Sequence, residues 1–252
     1  MKKFLLLISV CFCITPLLSQ VASADNHERE SFYLSTTELS VKLGHTQAFM
    51  DGVKAVRECY KNAGDDTPWW IWSRIQGPGS VFVVTGNYEN WQEFFADDAT
   101  DESCRGVVQE RVLPHLDSTD HQIASYMPDW SSDQPSAASF VVVYYFTVSD
   151  FELFEKTVAA IEKGIKGDGG QSADWYYKMG GRDSSHFFVV EPYADAAALD
   201  AEDPGVWKRL ETAVGKKKAE KLQADFRASV SEWWSYMYAL HQDLSYMPES
   251  SE

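Results

Sequence analysis

Two stripes of apolar residues at helical spacing, Phe49, Val53, Val56, Tyr60 and Phe154, Val158, Ile161, Ile165, organise this chain. Each steps by four, three and four residues, which places it on one face of an amphipathic helix packed against a sheet. The two stripes lie 105 residues apart. Ahead of each is a strand-like run: Ser31 to Ser35 in the first case, and Ser139 to Phe146 in the second. The latter is apolar on both faces, the pattern of a central strand. Gly64 and the glycine-rich run from Gly167 to Gly170 supply helix stops.

The two halves stay in step beyond the helices. Trp69 to Trp72 and Trp175 to Tyr177 read as second strands, and Val81 to Val84 and His186 to Val190 as third strands, with a glycine-bearing turn inside each hairpin. A helical segment opened by Tyr88 or Tyr193 comes next. Each half then ends on a shared stretch, His121-Gln122-Ile123-Ala124-Ser125-Tyr126-Met127-Pro128 and His241-Gln242-Asp243-Leu244-Ser245-Tyr246-Met247-Pro248, identical at six of eight positions and 120 residues apart. We read both copies as closing strands. The growth of the offset from 105 to 120 assigns about fifteen extra residues to the second half, as a helix opened by Asp203-Pro204-Gly205. Lys216 to Lys218 in this insertion is either a solvated helix face or a site for an anionic ligand.

Strand, helix, strand, strand, helix, strand is the order of a ferredoxin-like unit, an antiparallel sheet with both helices on one face. The fold class is therefore α+β: two ferredoxin-like βαββαβ repeats in one chain, packed through their open faces as an α+β barrel, with an extra helix in the second repeat. The expected boundaries are 25–134 and 135–252, with the Pro-, Ser- and Asp-rich stretch from Pro128 to Ala138 as linker.

Residues 1–24 have the marks of a secretory signal peptide: Lys2-Lys3, an apolar run from Phe4, and the small triplet Ala22-Ser23-Ala24. The expectation is a periplasmic or secreted protein with no membrane span. The formal net charge is −16, and loss of a leader that holds two lysines and no acids makes it −18. A chain this acidic repels nucleic acid and anionic lipid. Of the four cysteines, Cys59 and Cys104 remain after the leader, and in an oxidising compartment a disulfide is the default. The topology agrees, because the two helices of a ferredoxin-like unit run antiparallel, and Cys59 lies near the end of one and Cys104 near the start of the other. Two isolated cysteines make no zinc site, and no metal is expected.

Candidate chemistry is sparse. His121 and His241, if turned between the sheets, would bring two imidazoles to one ligand as axial ligand or general base; hydrogen-bonded histidines repeated with their unit are the alternative. Trp70, Trp72 and Tyr177 are candidates to line an apolar cavity, with core packing as the alternative, and His45 and His186 sit near element ends within reach of it. No nucleophile elbow, phosphate loop, dinucleotide fingerprint or HExxH motif is present.

The βαββαβ order, the Trp-rich second strand and the closing stretch ending Tyr-Met-Pro together resemble the α+β-barrel proteins typified by the antibiotic-biosynthesis-monooxygenase and NIPSNAP-like domains, over nearly all of residues 31–248. Members of that group pair two subunits to close the barrel, so the resemblance implies a chain that closes it alone, as a monomer or weak oligomer. It also implies cofactor-free or haem-linked oxygenase chemistry, or ligand binding without catalysis. The expected function is binding of a small apolar or aromatic molecule, haem included, in the inter-sheet cavity. The competing expectation is a non-catalytic interaction or structural module of the cell envelope.

Overall fold

The computed structural model describes residues 30–96, 99–132, 138–181 and 185–248. The expected leader at 1–24, the start of the expected lead-in at 25–29, the middle of the expected linker and Arg182-Asp183 of the expected second hairpin turn lie outside the described residues. In chain order the first half contains β1 (Tyr33–Val41), α1 (Thr46–Ala63), β2 (Trp70–Arg74), β3 (Ser80–Tyr88), α2 (Trp91–Phe94), α3 (Ala99–Arg111) and β4 (Leu116–Tyr126). The second contains β5 (Phe140–Val148), α4 (Phe151–Ile165), β6 (Asp174–Lys178), β7 (Phe187–Tyr193), α5 (Ala196–Leu199), α6 (Gly205–Val214), α7 (Lys216–Ser229) and β8 (Val230–Leu240). Both helical stripes bury as their spacing requires: Phe49 and Val53 lie in one core, and all four residues of the second stripe are buried. Gly64, at φ 72°, closes α1 in the left-handed conformation that glycine tolerates, and the Asp150 side chain opens α4 by accepting the Leu153 N–H.

The eight strands close into one antiparallel barrel in the order β1-β3-β2-β8-β5-β7-β6-β4. Each half contributes four neighbours in the same relative order, with the closing strand beside the first strand. The seams are β2·β8 and β4·β6. Each closing strand therefore pairs with the first strand of its own half and the second strand of the other.

The chain after each closing strand continues this exchange. The main-chain N–H of Met127 donates to Trp175 O, and Ser131 Oγ donates to Met127 O while accepting the Trp175 N–H. In the other direction, the His241 N–H donates to Ile71 O, and Ser245 Oγ donates to His241 O while accepting the Ile71 N–H. The same three bonds thus recur, with Met127 and Ser131 matched 114 residues on by His241 and Ser245, and Trp175 by Ile71. This corrects the reading of the second His-Gln stretch as a strand: the strand is Val230–Leu240, and His241 to Ser245 turns back so that Tyr246 bridges Trp69. The physical reason is burial. Trp130 packs with Phe154, Trp175 and Phe187 in the second half's core, while Leu244 enters the first half's core with Leu39, Phe49 and Ile71.

Helices cover the outer faces in two ways. In the first half Cys59 and Cys104 form the expected disulfide across α1 and α3, a link over 45 residues worth about 4 kcal/mol in the chain-entropy account. The helices run antiparallel and touch at Gly52, where a Cβ would lie 2.0 Å from Arg111 O. In the second half Ile161, Ile165, Leu210 and Ala219 knit α4, α6 and α7 into an apolar layer. Arg209 on α6 holds Asp168 by two hydrogen bonds and reaches Gln171 O. Beneath it Glu162 accepts the Trp175 indole N–H at 2.9 Å. No helix among the described residues is long and apolar enough to cross a membrane.

Leu244 is fully buried although it lies near the end of the chain. Leu244→Ala is expected to cost about 2–5 kcal/mol in a single cooperative denaturant transition; a loss under 1 kcal/mol would show that the C-terminal segment is not part of the first core. Burial pushes the Glu162 carboxyl up from 4.5 to about 7, against the lowering effects of the Trp175 hydrogen bond and Arg209. Below pH 4.5 it is protonated folded and unfolded alike. Between 4.5 and about 7 only the folded chain keeps the proton, so stability falls as pH rises through that window, by up to about 3 kcal/mol. Glu162→Gln should flatten this slope in urea melts across the window, and an unchanged slope would reject it.

Candidate functional site

Side-chain alternation sorts the barrel residues into an inner set and a set under the helices. Trp72, Ala124, Tyr126, Tyr176, Phe188 and Tyr238 face inward and pack together. Phe32 stacks on Tyr126 with ring centroids 4.6 Å apart, and Tyr176 stacks on Phe188 at 4.8 Å. The inter-sheet space expected to hold a ligand is at this level a packed aromatic core. Trp72 packs against this core, its indole N–H donating to Thr85 Oγ1 at 3.2 Å, and alternation puts Trp70 on the same face.

The face of the closing stretch that carries His121 does not line that space. Ala124 and Tyr126 take the inner positions, so His121, Ile123 and Ser125 project outward. His121 is exposed, with Nδ1 2.9 Å from Thr37 Oγ1. His241 stands beyond the strand in the other half, with Nε2 2.9 Å from Ser73 Oγ and its ring 5.7 Å from that of Phe82. The two rings do not converge on one ligand, because one is carried by a strand and the other by the returning turn. His45 precedes α1 and meets His115, with Nδ1 atoms 3.0 Å apart. The His186 Nδ1 accepts the Val148 N–H at 2.9 Å, and its ring lies 4.9 Å from that of Phe151.

A groove of about 370 Å³ opens on the outer side of the β4·β6 seam. Its floor is Trp130 and Phe187, both buried, and its walls include Met127, Pro128, Phe151 and Tyr177. Phe151 and Tyr177 are 40% and 39% exposed, so apolar surface is presented to solvent there. The carboxylates of Asp129 and Glu155 stand at its rim. Of the candidate residues, Tyr177 lines the groove and His186 stands behind Phe151; Trp70, Trp72, His45, His121 and His241 lie elsewhere. Met127 and Trp130 were missed in the sequence because their burial depends on the other half of the chain.

Two charged groups also escaped the sequence reading. One gathers Glu162 and Glu191 below α4 and α6: burial raises both carboxyls, and Tyr193 OH donates to Glu191 at 3.3 Å. The other lies inside the barrel, where Glu38 acts electrostatically on Lys178, Tyr145 and Tyr238. The Tyr145 and Tyr238 hydroxyls are 3.1 Å apart, and burial raises both phenols, Tyr238 to about 12. Lys216 to Lys218 are exposed at the start of α7, with Lys216 paired to Glu220 at 3.8 Å, as a solvated face requires.

No protein-family model matches this chain, and no curated protein sequence does. Solved structures share its architecture. A proposed monooxygenase from Lactobacillus acidophilus NCFM superposes with a TM-score of 0.51 at 10% identity, over 87% of this chain and 97% of that one. A proposed monooxygenase from Fusobacterium nucleatum subsp. nucleatum gives 0.51 at 9% identity, over 84% and 93%. A proposed chlorite dismutase gives 0.50 at 15% identity, over 84% and 96%. At these identities the likeness is one of fold, and the chain shares the ferredoxin-like α+β barrel of these proteins.

Proposed function

We propose that this chain is an exported tandem α+β barrel, of the antibiotic-biosynthesis-monooxygenase and NIPSNAP-like kind, that binds a small apolar or aromatic molecule in the groove of Phe151, Tyr177 and Trp130. The observation that carries the reading is the exposure of two large rings over a buried aromatic floor. A folded chain leaves such a concave apolar surface open mainly where something is bound. A ligand ring covering roughly 150–200 Å² of it gains about 4–5 kcal/mol before association costs. Asp129 and Glu155 supply acceptors that orient a hydroxyl or amine on that ligand. The tandem reading is supported by the matching strand order of the halves, and export by the composition of residues 1–24.

Haem fits this groove poorly. The described residues that line it include no histidine, and His186 stands behind the Phe151 ring with Nδ1 engaged. Oxygenase chemistry, which the resemblance implies, would therefore run without haem here.

Thermal-shift and calorimetric screening of the leaderless protein against hydrophobic ring compounds is expected to find a stabilising ligand. Tyr177→Ala and Phe151→Ala should each weaken it about tenfold, roughly one exposed ring face of contact. Absence of any stabilising compound would favour the interaction-module reading. In a haem titration, no Soret band of an imidazole-ligated iron is expected; a band abolished by His186→Ala would reverse the judgement on haem.

A further inference from the structure

We propose that Lys178 is a carbonyl-binding amine inside the barrel: its side chain is buried at the inner end of β6, its Nζ has no hydrogen-bond or ion-pair partner among the described residues, it shares the barrel interior with Glu38, and it condenses with a small aldehyde or ketone. On β6 Tyr176 faces inward and Trp175 lies under α4, so Lys178 shares the inner side with Tyr176, while Tyr177 turns outward to the groove. The two sites lie on opposite faces of one strand. The Lys178 main chain is fixed by its own N–H donating to His186 O and by the next N–H, of Met179, donating to Ile123 O. The residue is only 6% exposed.

A charged amine so placed ordinarily holds a carboxylate or several carbonyl oxygens. The matching position of the first half shows this. Arg74 ends β2 as Lys178 ends β6; its guanidinium donates to Pro78 O and lies over the Tyr236 ring, 4.6 Å from the centroid. Lys178 has no such anchor. The charges acting on it are Asp120 and Glu38, which occupy paired positions on β4 and β1. Both favour the ammonium form, yet burial outweighs them and lowers the amine below its ordinary value. The unprotonated fraction at neutral pH is therefore larger than for a surface lysine, which is the state a nucleophilic amine needs.

The surroundings suit condensation. The Nζ lone pair attacks the carbonyl carbon; the C–N bond forms as the C=O π bond breaks, and a proton passes from nitrogen to oxygen, giving a carbinolamine. A second proton goes onto that oxygen, the C–O bond breaks and water leaves as the nitrogen lone pair closes the C=N bond, and the iminium nitrogen then gives up its remaining proton. The balance is amine plus carbonyl to imine plus water, with no oxidant or reductant. Glu38, whose charge acts on the amine, is the carboxylate to which the proposal assigns uptake and return of the proton. The Tyr145 and Tyr238 hydroxyls, on which Glu38 also acts, are raised by burial and stay protonated at neutral pH.

The experiment is reductive trapping on the disulfide-bonded, leaderless protein at pH 7, with glyoxylate and separately benzaldehyde, plus cyanoborohydride, read by peptide mass mapping. Lys178 is expected to be alkylated faster than Lys216, Lys217 and Lys218. Lys178→Met should keep the melting temperature within a few degrees and lose that label alone. If Lys178→Met does not fold, Glu38→Gln serves, and should slow labelling at Lys178 without changing that of the surface lysines. Labelling of surface lysines with Lys178 unmodified, or a Lys178 rate indifferent to Glu38→Gln, would overturn the proposal. The readout does not depend on occupation of the outer groove, so a failed ligand screen leaves this test intact.

Discussion

The fold depends on a reciprocal exchange of closing strands. Each closing strand is zipped on one side to the first strand of its own half and on the other to the second strand of the opposite half, so a single hydrogen-bonded surface runs round the barrel. Ser131 and Ser245 extend the seams past the strand ends by standing in for a ladder partner, each accepting a main-chain N–H that would otherwise be buried unpaired. The side chains that follow complete the trade. Trp130 of the first half closes the second core, and Leu244 of the second half closes the first. Neither core is whole without the other half, and the barrel leaves no open sheet edge for intermolecular pairing.

This exchange also explains what was legible in the sequence. Burial against a helix has a local signature, so the stripes through Phe49 and Phe154 placed α1 and α4 and, with the strands between glycines, the order of elements. Burial across the seam has none. The two His-Gln stretches share six residues, yet one lies within β4 and the other is the turn after β8, because residue identity is not position. The strand that was missed, Val230–Leu240, follows α7 with no glycine or proline between Lys216 and Met247, so no turn signal separates helix from strand. Setting β4 on β8 gives an offset of 114, so the added length is nine residues, close to the ten of α6.

The candidate site was legible in the same uneven way. Tyr177 was singled out as an aromatic on a second strand, and alternation alone carries it outward once Tyr176 is known to face in. Trp130 sits in a Pro-, Ser- and Asp-rich stretch that reads as linker, and only the exchange turns it into the floor of a groove. The histidines looked informative because they recur, but their partners are Thr37, Ser73, His115 and the Val148 N–H, local anchors that any polar ring near a strand end finds.

Similar topology does not make the halves chemically alike. The first half holds its helices on the sheet with a disulfide and the close approach at Gly52; the second uses a third long helix and an apolar layer around Leu210. The extra cover in the second half has an electrostatic result, since it buries Glu162 and Glu191 against Trp175 and Tyr193. Inside the barrel the contrast repeats, with Arg74 anchored on Pro78 and Tyr236 and Lys178 left without an anchor. Positions that serve the exchange are constrained in both halves at once, because a change at one seam opens two cores. Freedom to vary is left at the barrel's inner end and along the outer seam beside α4, and those are the places where this chain carries its exposed rings and its partnerless amine.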